Sequence, residues 1–430
     1  MSTFSTIDAW LSYLETIHPV RIDMGLTRVG LIKNLLNIKF SCPIFTVGGT
    51  NGKGSTCIFL ETILIHGGYN VGCHVSPHLL KFNERARLNG KNVTDDELLE
   101  HFEAVESARL SFINPISLTY FEFTTLAILN LFSSHRLDVV ILEVGLGGRF
   151  DAINIIDTDC AIITSIDIDH TNYLGNTRDA IAVEKAGIFR AGKPAICGDL
   201  NTPCKLIEYA ENFGADLWLI RRDFRIEANL GKREKWTYIG RSRCYTELTY
   251  PMLIGSNQLI NASVAIAALE ALYDRLPISI QDIQLGVSSA KLPGRFQVLP
   301  GKPIVILDVA HNPKAIATLV HNFIDIGYFT HTHAVFGVMY DKDISGIIQN
   351  MKNDVDYWYV TNLPSTRAAT AEQLKIALQQ SGIDNRQTKK VTQFSSTAEA
   401  FRYAIKNASN NDKIIVTGSF HTVSGVMELF

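Results

Sequence analysis

The stretch Gly48–Thr56, with the sequence GGTNGKGST, constrains the fold more than any other part of the chain. An apolar run at 44–47 precedes it, and an amphipathic run ending at His66 follows it. A strand, a glycine loop and a helix in this order turn several backbone N–H groups toward one point, where the helix dipole adds positive potential. The stretch therefore predicts a nucleotide phosphate site, with Lys53 over the β- and γ-phosphates and Ser55 or Thr56 facing a magnesium ion.

This stretch departs from the strict P-loop pattern. Counting back from Gly52 and Lys53, the first expected glycine falls on Val47, and Gly54 stands between Lys53 and Ser55. A glycine-rich turn can also be a plain tight connection between a strand and a helix. The lysine and the hydroxyl groups favour phosphate binding over that alternative.

Composition excludes several classes of protein. The chain has 430 residues, of which 46% are hydrophobic, so about two or three ordinary domains are expected. A net charge of −3 without a Lys/Arg block argues against nucleic-acid binding. The seven cysteines are scattered and contain no CxxC pair, which is typical of free thiols in the cytoplasm. No signal peptide or membrane-spanning run is predicted.

Apolar strands without alternation, separated by helical stretches, predict parallel sheets covered on both faces. The fold class predicted is α/β, with a P-loop nucleotide-binding domain built on a mostly parallel sheet and a smaller Rossmann-like C-terminal α/β domain. The strands are predicted at 44–47, 69–75, 137–143 and 161–165, and then at 303–308, 333–339, 356–362 and 413–419. Among the helices, one is predicted at 7–14, and a capping box at 94–97 is predicted to begin another.

Breaks in this alternation predict the domain boundaries. Short aromatic β-like runs at 217–250 predict a hairpin insertion in a first domain that covers 1–290. The Pro- and Gly-rich segment 291–301 is predicted to be a linker, and 302–430 a second domain. The segment RIDMGLTRV at 21–29 is predicted to be a connecting loop, although its polar groups could reach the nucleotide site.

Ligands of parallel sheets bind at the carboxyl ends of the strands, where Ser76, Glu143 and His170 follow predicted strands. An acidic residue at the end of a buried strand beside a P-loop typically holds magnesium, so Glu143 is a candidate ligand. The alternative is an ion pair with Arg149 or Lys185. His170 could equally be a structural histidine, since magnesium prefers oxygen ligands, and Ser76 alone could be a turn residue.

In the second domain, Asp308 and His311 lie at the end of the first predicted strand. If they are functional, they act across a cleft, which implies domain closure over the nucleotide. The alternative is a helix N-cap at Asn312 with Pro313 at the first helical position, and both interpretations can hold together. The residues alone thus predict an ATP-dependent enzyme and do not identify its second substrate.

Several motifs together resemble the folylpolyglutamate synthase/dihydrofolate synthase family, which is related to the Mur ligases. They stand in order along nearly the whole chain. These motifs are GTNGKGST at 49–56, SPHL at 76–79, LEVGLGGRFDA at 142–152, SIDIDHT at 165–171, EKAGIFR at 184–190, LPGRFQ at 292–297, DVAHNP at 308–313 and GSFHTV at 418–423.

The resemblance implies a reaction in which ATP phosphorylates a carboxylate of a pterin substrate and the amine of L-glutamate displaces phosphate. It implies ATP, L-glutamate, 7,8-dihydropteroate and reduced folates as partners, Mg²⁺ as the metal ion, K⁺ as a possible second cation, and a cytoplasmic monomer. Acyl activation is needed because a carboxylate is a poor electrophile, so positioning and charge neutralisation dominate the catalysis.

The resemblance also implies roles for individual residues. Lys185 matches a lysine that is carbamylated in this family, which would turn a cation beside magnesium into an anion. The ATP-binding positions are Thr50, Asn51, Gly52, Lys53, Gly54, Ser55, Asn261, Arg295 and Asp308; the metal ligands are Ser76, Glu143 and His170; and the catalytic positions are Lys53, Lys185, Asp308 and His311, the last near the reacting phosphate.

Three segments resemble the dihydropteroate pocket of bifunctional bacterial enzymes, namely RIDMGLTRV at 21–29, TYFE at 119–122 and FDA at 150–152. In the first segment, Asp23 is a stronger candidate than Arg21. In the second, Phe121 could stack on the pterin, although an aromatic residue at a helix start is also typical of a core. The positions are Arg21, Ile22, Asp23 and Met24; Thr119, Tyr120, Phe121 and Glu122; and Phe150, Asp151 and Ala152.

Four alternatives stay open beside the bifunctional enzyme. A non-enzymatic nucleotide-binding module would leave the motif at 308–313 and the second domain without a role. A dedicated polyglutamate synthase would lack the dihydropteroate pocket. A Mur ligase would carry a nucleotide-sugar domain before the P-loop, and only 47 residues precede it here. A GTPase-like switch would carry an NKxD motif, which is absent from the sequence.

Overall fold

Continuous apolar runs become parallel strands in both halves of the chain. The structure, a computed structural model, describes residues 4–228, 235–324, 326–383 and 390–430. The chain divides into two units, the first formed by residues 1–252 with 259–290 and the second by residues 253–258 with 291–430. The predicted linker at 291–301 groups with the second unit.

The first unit is built on an eight-stranded sheet. Its strands pair in parallel from β2 to β8, and only β3, near one edge, runs antiparallel to its two neighbours β2 and β4. The predicted mostly parallel sheet is therefore confirmed. Its order is β4-β3-β2-β5-β1-β6-β7-β8. The strands are β1 Ile44–Gly48, β2 Val71–His74, β3 Ala86–Leu88, β4 Lys91–Asn92, β5 Val139–Glu143, β6 Cys160–Ile163, β7 Pro194–Cys197 and β8 Asp216–Leu219.

Helices cover this sheet. The helices are α1 Ile7–Leu14, α2 Thr27–Leu35, α3 Lys53–His66, α4 Asp95–Leu110, α5 Tyr120–Ser134, α6 Thr171–Leu174, α7 Arg178–Ala186, α8 Cys204–Phe213, α9 Ser256–Ala271 and α10 Ile280–Ser289. Helix α3 packs on β1, β2 and β5 and against α10. Apolar residues of α1, α2, α4 and α5 form a separate core cluster with Val140 and Leu142 of β5.

Local capping explains where two helices of this unit begin. The predicted capping box of α4 is present, since Thr94 Oγ1 accepts from the Glu97 amide while the Glu97 carboxylate accepts from the Thr94 amide. Thr119 and Glu122 cap α5 in the same way. Reciprocal caps of this kind satisfy backbone N–H groups that a helix start otherwise leaves without partners.

The predicted insertion is a three-stranded antiparallel sheet made of β9 Arg225–Ala228, β10 Lys235–Ile239 and β11 Cys244–Thr249. Glu270 of α9 anchors it by accepting from the Tyr238 hydroxyl at 2.7 Å and from the Ser242 amide at 2.7 Å. The predicted start of this insertion at 217 is wrong, because residues 216–219 are strand β8 and pair in parallel with β7.

The second unit contains a six-stranded sheet in the order β12-β13-β17-β14-β15-β16, in which only β12 is antiparallel. Its main core cluster joins three helices, α11, α12 and α13, to the sheet, and α14 and α15 pack against the strands outside that cluster. The elements are β12 Gln297–Leu299, β13 Ile304–Leu307, α11 Pro313–Ile324, β14 Thr332–Phe336, α12 Ile344–Met351, β15 Tyr357–Thr361, α13 Ala371–Gln380, β16 Lys390–Phe394, α14 Thr397–Asn407, β17 Lys413–Thr417 and α15 Phe420–Met427.

Among the described residues, no helix combines the length and the apolar character that crossing a membrane requires.

Candidate active site

The glycine loop lies between β1 and α3, and two of its glycines have left-handed backbone angles. Gly49 has φ 141°, and a Cβ there would lie 2.0 Å from Thr164 Oγ1. Gly52, which caps α3, has φ 91°, and a Cβ there would lie 2.5 Å from Asn261 Oδ1. Other residues would therefore be strained at both positions. The predicted ATP-binding residue Asn261 packs directly against the loop.

The segment after β6 holds the glycine loop in place. The Thr50 amide donates to the Ser165 carbonyl at 2.8 Å, and the Asn51 amide donates to Ser165 Oγ at 3.0 Å. Thr164 Oγ1 donates to the Asn51 carbonyl at 2.7 Å. Because β1 and β6 are neighbours in the sheet, these bonds couple the loop to the strand end that leads to His170.

Lys53, at the first position of α3, lies over the loop. Its Nζ donates to the Gly49 carbonyl at 3.1 Å and to the Thr50 carbonyl at 3.5 Å. Gly54 and Ser55 follow in the first turn and are buried. The structure thus brings together the predicted ATP-binding residues at 50–55 and Asn261.

Ser76 and Glu143 meet at the next two strand ends. The Ser76 amide donates to Glu143 Oε2 at 3.1 Å, and Glu143 is buried at the end of β5. Arg149, which the alternative interpretation pairs with Glu143, pairs with Glu184 at 3.4 Å. The strands β2, β5 and β1 are adjacent, so Ser76, Glu143 and the glycine loop share one edge of the sheet.

His170 lies at the start of α6 with φ 52°, one strand beyond the glycine loop. Its amide donates to Asp169 Oδ1 at 2.8 Å, and its Nε2 is 3.9 Å from Asp169 Oδ2. The oxygens of Ser76 and Glu143 fit a magnesium ion, which prefers oxygen ligands, whereas an imidazole is less usual. Within the described ranges no group of three or more His, Cys, Asp or Glu residues is arranged to hold a metal ion, so the fit rests on the Ser76–Glu143 pair.

Lys185 is a buried lysine on α7, with 3% of its surface exposed. Burial and the nearby charge of Lys53 together lower its pKa to about 7, and Asp169 and Asp151 oppose the shift. An amine with this pKa is neutral for much of the time near neutral pH and is nucleophilic. The glycine turn after β5 packs against it, since a Cβ on Gly148 would lie 2.7 Å from the Lys185 carbonyl oxygen.

The start of α5 carries the predicted acceptor residues 119–122. Glu122 Oε2 accepts from the Thr119 amide at 2.7 Å as part of the cap. The Phe121 ring packs on Gly145, where a Cβ would lie 2.5 Å from Phe121 Cζ. The Tyr120 ring lies 5.7 Å from the Arg85 guanidinium carbon. Phe121 therefore contacts the glycine turn that begins beyond Glu143.

The predicted acceptor residues 21–24 are placed unequally. Arg21 has a side chain that is 62% exposed and lies 3.9 Å from Glu15. Asp23 Oδ2 accepts from Arg28 Nη1 at 2.6 Å. The Met24 Cε is 3.6 Å from the position of a Cβ on Gly147, and Ile22 is half-buried. Asp23 and Met24 thus approach the elements that carry the other acceptor residues.

Asp151 holds the glycine turn from within. Its Oδ2 accepts from the Leu146 amide at 2.8 Å and its Oδ1 from the Ile153 amide at 3.0 Å. Burial raises its pKa to about 6, although these backbone hydrogen bonds oppose the shift. Phe150 is exposed, whereas Ala152 is buried.

In the second unit, Asp308, Arg295 and His311 gather near Phe420. Asp308 Oδ2 accepts from the Phe296 amide at 2.7 Å and Oδ1 from the Ala310 amide at 2.8 Å. Burial raises the pKa of Asp308, and the charge of Arg295 opposes that shift. The Arg295 guanidinium carbon lies 5.2 Å from the centre of the Phe420 ring, and the His311 ring centre lies 6.4 Å from it.

The alternative interpretation of this motif, as a helix start, is confirmed. Asn312 Oδ1 accepts from the Ala315 amide at 2.9 Å, and Pro313 is the first residue of α11. His311 Nδ1 donates to the Val309 carbonyl at 2.9 Å.

Sequence reasoning missed Arg28, Thr164 and Ser165. Arg28 lies in the segment 21–29, which was predicted to be a connecting loop and which resembles the acceptor pocket, but only positions 21–24 of it were candidates. Arg28 bonds to both Asp23 and Glu122. The hydroxyls of Thr164 and Ser165 follow β6, so their position at a strand end was the available signal.

Two known domain families match the chain. The family described as "Mur ligase middle domain" matches residues 47–269, and the family described as "Mur ligase, glutamate ligase domain" matches residues 294–420.

Individual relatives match over almost the whole length. The dihydrofolate synthase/folylpolyglutamate synthase of Escherichia coli strain K12 is 43% identical over 426 residues, which cover 99% of this chain and 96% of the relative. A structure of E. coli FolC in complex with DHPP and ADP superposes with a TM-score of 0.91 at 43% identity and covers 99% of this chain and 97% of the other. A bifunctional folylpolyglutamate synthase/dihydrofolate synthase with Mn, AMPPNP and L-glutamate bound superposes with a TM-score of 0.90 at 42% identity, covering 100% and 99%.

Proposed function

The chain belongs to the dihydrofolate synthase/folylpolyglutamate synthase family, and from this membership we propose how its residues perform the reaction. It is an ATP-dependent ligase that adds L-glutamate in folate metabolism. We propose 7,8-dihydropteroate and reduced folates as its two kinds of acceptor. One observation carries the proposal: the glycine loop, the Ser76–Glu143 pair and the segment leading to His170 lie at adjacent strand ends.

The proposed reaction has two steps. A carboxylate oxygen of the acceptor attacks the γ-phosphorus of ATP, the bond to ADP breaks, and an acyl phosphate forms. The α-amine of L-glutamate then attacks the acyl carbon, phosphate leaves with the electrons of the C–O bond, and the amine loses a proton. The side chains form no covalent bond to the substrates in this scheme, so positioning and charge neutralisation account for the catalysis.

The glycine loop is proposed to bind the ATP phosphates. Thr164 and Ser165 hold its backbone in a fixed conformation before ATP arrives, which lowers the cost of ordering it. The Lys53 ammonium, which lies on the Gly49 and Thr50 carbonyls, is within the loop and can move onto the β- and γ-phosphates. Asn261 packs on Gly52 and is proposed to contact ATP from the other side of the loop.

Ser76, Glu143 and His170 are proposed to hold a magnesium ion. When bound, the ion neutralises negative charge on the transferring phosphoryl group. The hydrogen bond from the Ser76 amide orients the Glu143 carboxylate at the strand end. Potassium as a second cation is a further proposal that rests on the family alone.

Lys185 is proposed to be carbamylated. Its lowered pKa leaves a neutral amine whose nitrogen lone pair can attack CO₂, with release of one proton. The product replaces a buried cation close to Lys53 with an anion. That anion would complement Lys53 and a magnesium ion, whereas the protonated amine would repel both.

In the second unit, Arg295 and Asp308 are proposed to contact ATP and His311 to act on the transferring phosphoryl group. These roles are supported by the contacts of Asp308, which binds the backbone amides of Phe296 and Ala310 and so holds the segments that carry Arg295 and His311 beside each other.

The acceptor is proposed to bind where residues 21–24, 119–122 and 150–152 carry the candidate side chains. Phe121 is proposed to stack on the pterin ring, because it is anchored on Gly145 next to the Glu143 strand end. The seven cysteines are free, in keeping with the proposal that the chain works in the reducing cytoplasm. That it works as a monomer is a proposal that rests on the family alone.

Phosphate release tests the proposed function. The protein is supplied with Mg-ATP, L-glutamate and either 7,8-dihydropteroate or tetrahydrofolate, and the product masses are measured. Glutamate-dependent turnover of both acceptors is expected. Turnover of tetrahydrofolate alone would identify a dedicated polyglutamate synthase, and no turnover of either would overturn the folate assignment.

A further inference from the structure

Arg28 joins two segments that carry predicted acceptor residues. Its Nη1 donates to Asp23 Oδ2 at 2.6 Å, and its Nη2 donates to the Asp23 carbonyl at 3.0 Å and to Glu122 Oε1 at 2.9 Å. Asp23 belongs to the segment between α1 and α2, and Glu122 belongs to the first turn of α5. The bond from Arg28 to Glu122 thus joins residues that are 94 positions apart along the chain.

The segment that carries Asp23 depends on side chains for its position. In the part of the chain that the structure describes, no backbone N–H or carbonyl at 17–25 bonds to another backbone group. The segment is held instead by Arg28 and by His18, whose Nδ1 lies 3.1 Å from Ser117 Oγ and whose Nε2 lies 3.3 Å from Asp23 Oδ2. Through Arg28 and through His18, the segment is thus connected to residues at or just before the start of α5.

The charges explain why an arginine is needed here. Glu122 is buried and uses its other oxygen to cap α5, so the loss of its cation would leave a buried carboxylate unpaired. Asp23 is 39% exposed, so its carboxylate could turn toward the solvent if the bond to Arg28 were lost. A guanidinium reaches both carboxylates at once through its planar fork, whereas a lysine ammonium is a single point charge.

The same contacts place apolar groups of the two segments. Met24 follows Asp23 and lies near Gly147, while Phe121 precedes Glu122 and packs on Gly145. By holding the two carboxylates together, Arg28 therefore fixes how far apart the Met24 and Phe121 side chains lie on the same glycine turn.

We infer that Arg28 is a positioning residue for the pterin acceptor, holding residues 21–24 against the start of α5 so that both contact the same ring. This inference rests on the proposed function. It assigns Arg28 no contact with ATP, since its bonds go to Asp23 and Glu122.

Substitutions of Arg28 test acceptor binding separately from ATP binding. In Arg28→Lys and Arg28→Gln, the KM for 7,8-dihydropteroate and for tetrahydrofolate is expected to rise about tenfold or more, since at least one charge-assisted hydrogen bond is lost. The KM for ATP is expected to stay within about twofold of wild type. Asp23→Asn combined with Arg28→Lys is expected to add less than the two single effects, because the residues act as a unit.

Arg109→Lys is the matched control. Arg109 forms a buried pair with Glu106 at 2.6 Å inside α4 and contacts none of the acceptor residues named above. Both this variant and Arg28→Lys are expected to unfold at a lower temperature than wild type, but Arg109→Lys is expected to keep an unchanged acceptor KM. A loss of stability alone would therefore not reproduce the expected shift.

Each result decides the inference. A wild-type acceptor KM in a folded Arg28→Lys protein overturns it. An equal rise in the KM for ATP and for the acceptor, or failure of both Arg28 variants to fold, also overturns it, because Arg28 would then act only on the fold. If the wild-type protein shows no glutamate-dependent turnover with either acceptor, the proposed function itself fails.

Discussion

The buried amine of Lys185 lies close enough to Lys53 for the two cations to repel each other, and burial together with this repulsion lowers the pKa of Lys185 to about 7. In an unfolded chain a lysine keeps a pKa near 10.4. Between these two values the unfolded state binds more protons, so the contribution of Lys185 to stability rises with pH over that window. A cation so disfavoured at this position is unexpected unless its chemistry is used.

Carbamylation of Lys185 is expected to depend on pH. Protein incubated with ¹³C-bicarbonate at pH 8 should show a carbamate carbon signal by NMR, and this signal and kcat should fall together as the pH drops below about 7, since the protonated amine cannot attack CO₂. Lys185→Ala should lack both the signal and activity, and added bicarbonate should not restore them. An active protein without the carbamate signal would contradict the assignment.

Signals in the local sequence predicted where helices lie better than they predicted which elements pack or pair with each other. The run Ile7–Leu14 is predicted and observed as a helix with the same bounds, and the capping box at Thr94 marks the start of α4. Helix α2 was not predicted, because only Val29 and Ile32 of it are buried and no apolar stripe marks it. Strand β8 was assigned to the insertion because an aromatic run is typical of either setting, and only pairing with β7 decides between them.

The candidate site shows the same difference between features that the local sequence predicts and contacts that depend on the tertiary fold. Ser76, Glu143 and the glycine loop were predicted from strand ends, and the sheet order places them side by side. Arg28 and Ser165 were not, because each acts through a residue far away in the chain, 94 positions for the Arg28–Glu122 bond and 114 for the Ser165–Asn51 bond. Such pairings depend on the tertiary fold, which local periodicity does not encode.

Removal of the Glu143 charge should impair metal binding without unfolding the protein. Glu143→Gln keeps an oxygen that can accept from the Ser76 amide but loses the anion, so kcat should fall by about 100-fold or more and Mn²⁺ binding in the presence of AMPPNP, measured by EPR, should weaken. Glu106→Gln, which alters a buried carboxylate in α4, is the control and should bind Mn²⁺ as wild type does. Normal Mn²⁺ affinity in Glu143→Gln would remove Glu143 from the ligand set.

Gly145 is expected to be required for the acceptor pocket. A Cβ there would lie 2.5 Å from Phe121 Cζ, so Gly145→Ala should displace the ring and raise the KM for both acceptors about tenfold while leaving the KM for ATP unchanged. Gly30→Ala is the control, because its Cβ meets nothing within 4 Å; in helix α2 it should stabilise the protein by about 0.5–1 kcal/mol. An unchanged acceptor KM in Gly145→Ala would separate Phe121 from substrate binding.

Ser165 is expected to act on ATP rather than on the acceptor. Its hydroxyl accepts from the Asn51 amide and donates to the Asn51 carbonyl, both at 3.0 Å, so it fixes the one loop residue at both backbone groups. In Ser165→Ala the Asn51 backbone loses both of its bonds to this hydroxyl, although the carbonyl keeps the bond from Thr164 Oγ1, and the KM for ATP should rise about tenfold with little change in the acceptor KM. Ser133→Ala removes a hydroxyl that bonds only within its own helix, to the Asn130 carbonyl at 2.9 Å, and should leave the KM for ATP unchanged. If Ser165→Ala bound ATP as wild type does, the loop would hold its conformation through Thr164 and the Thr50 amide alone.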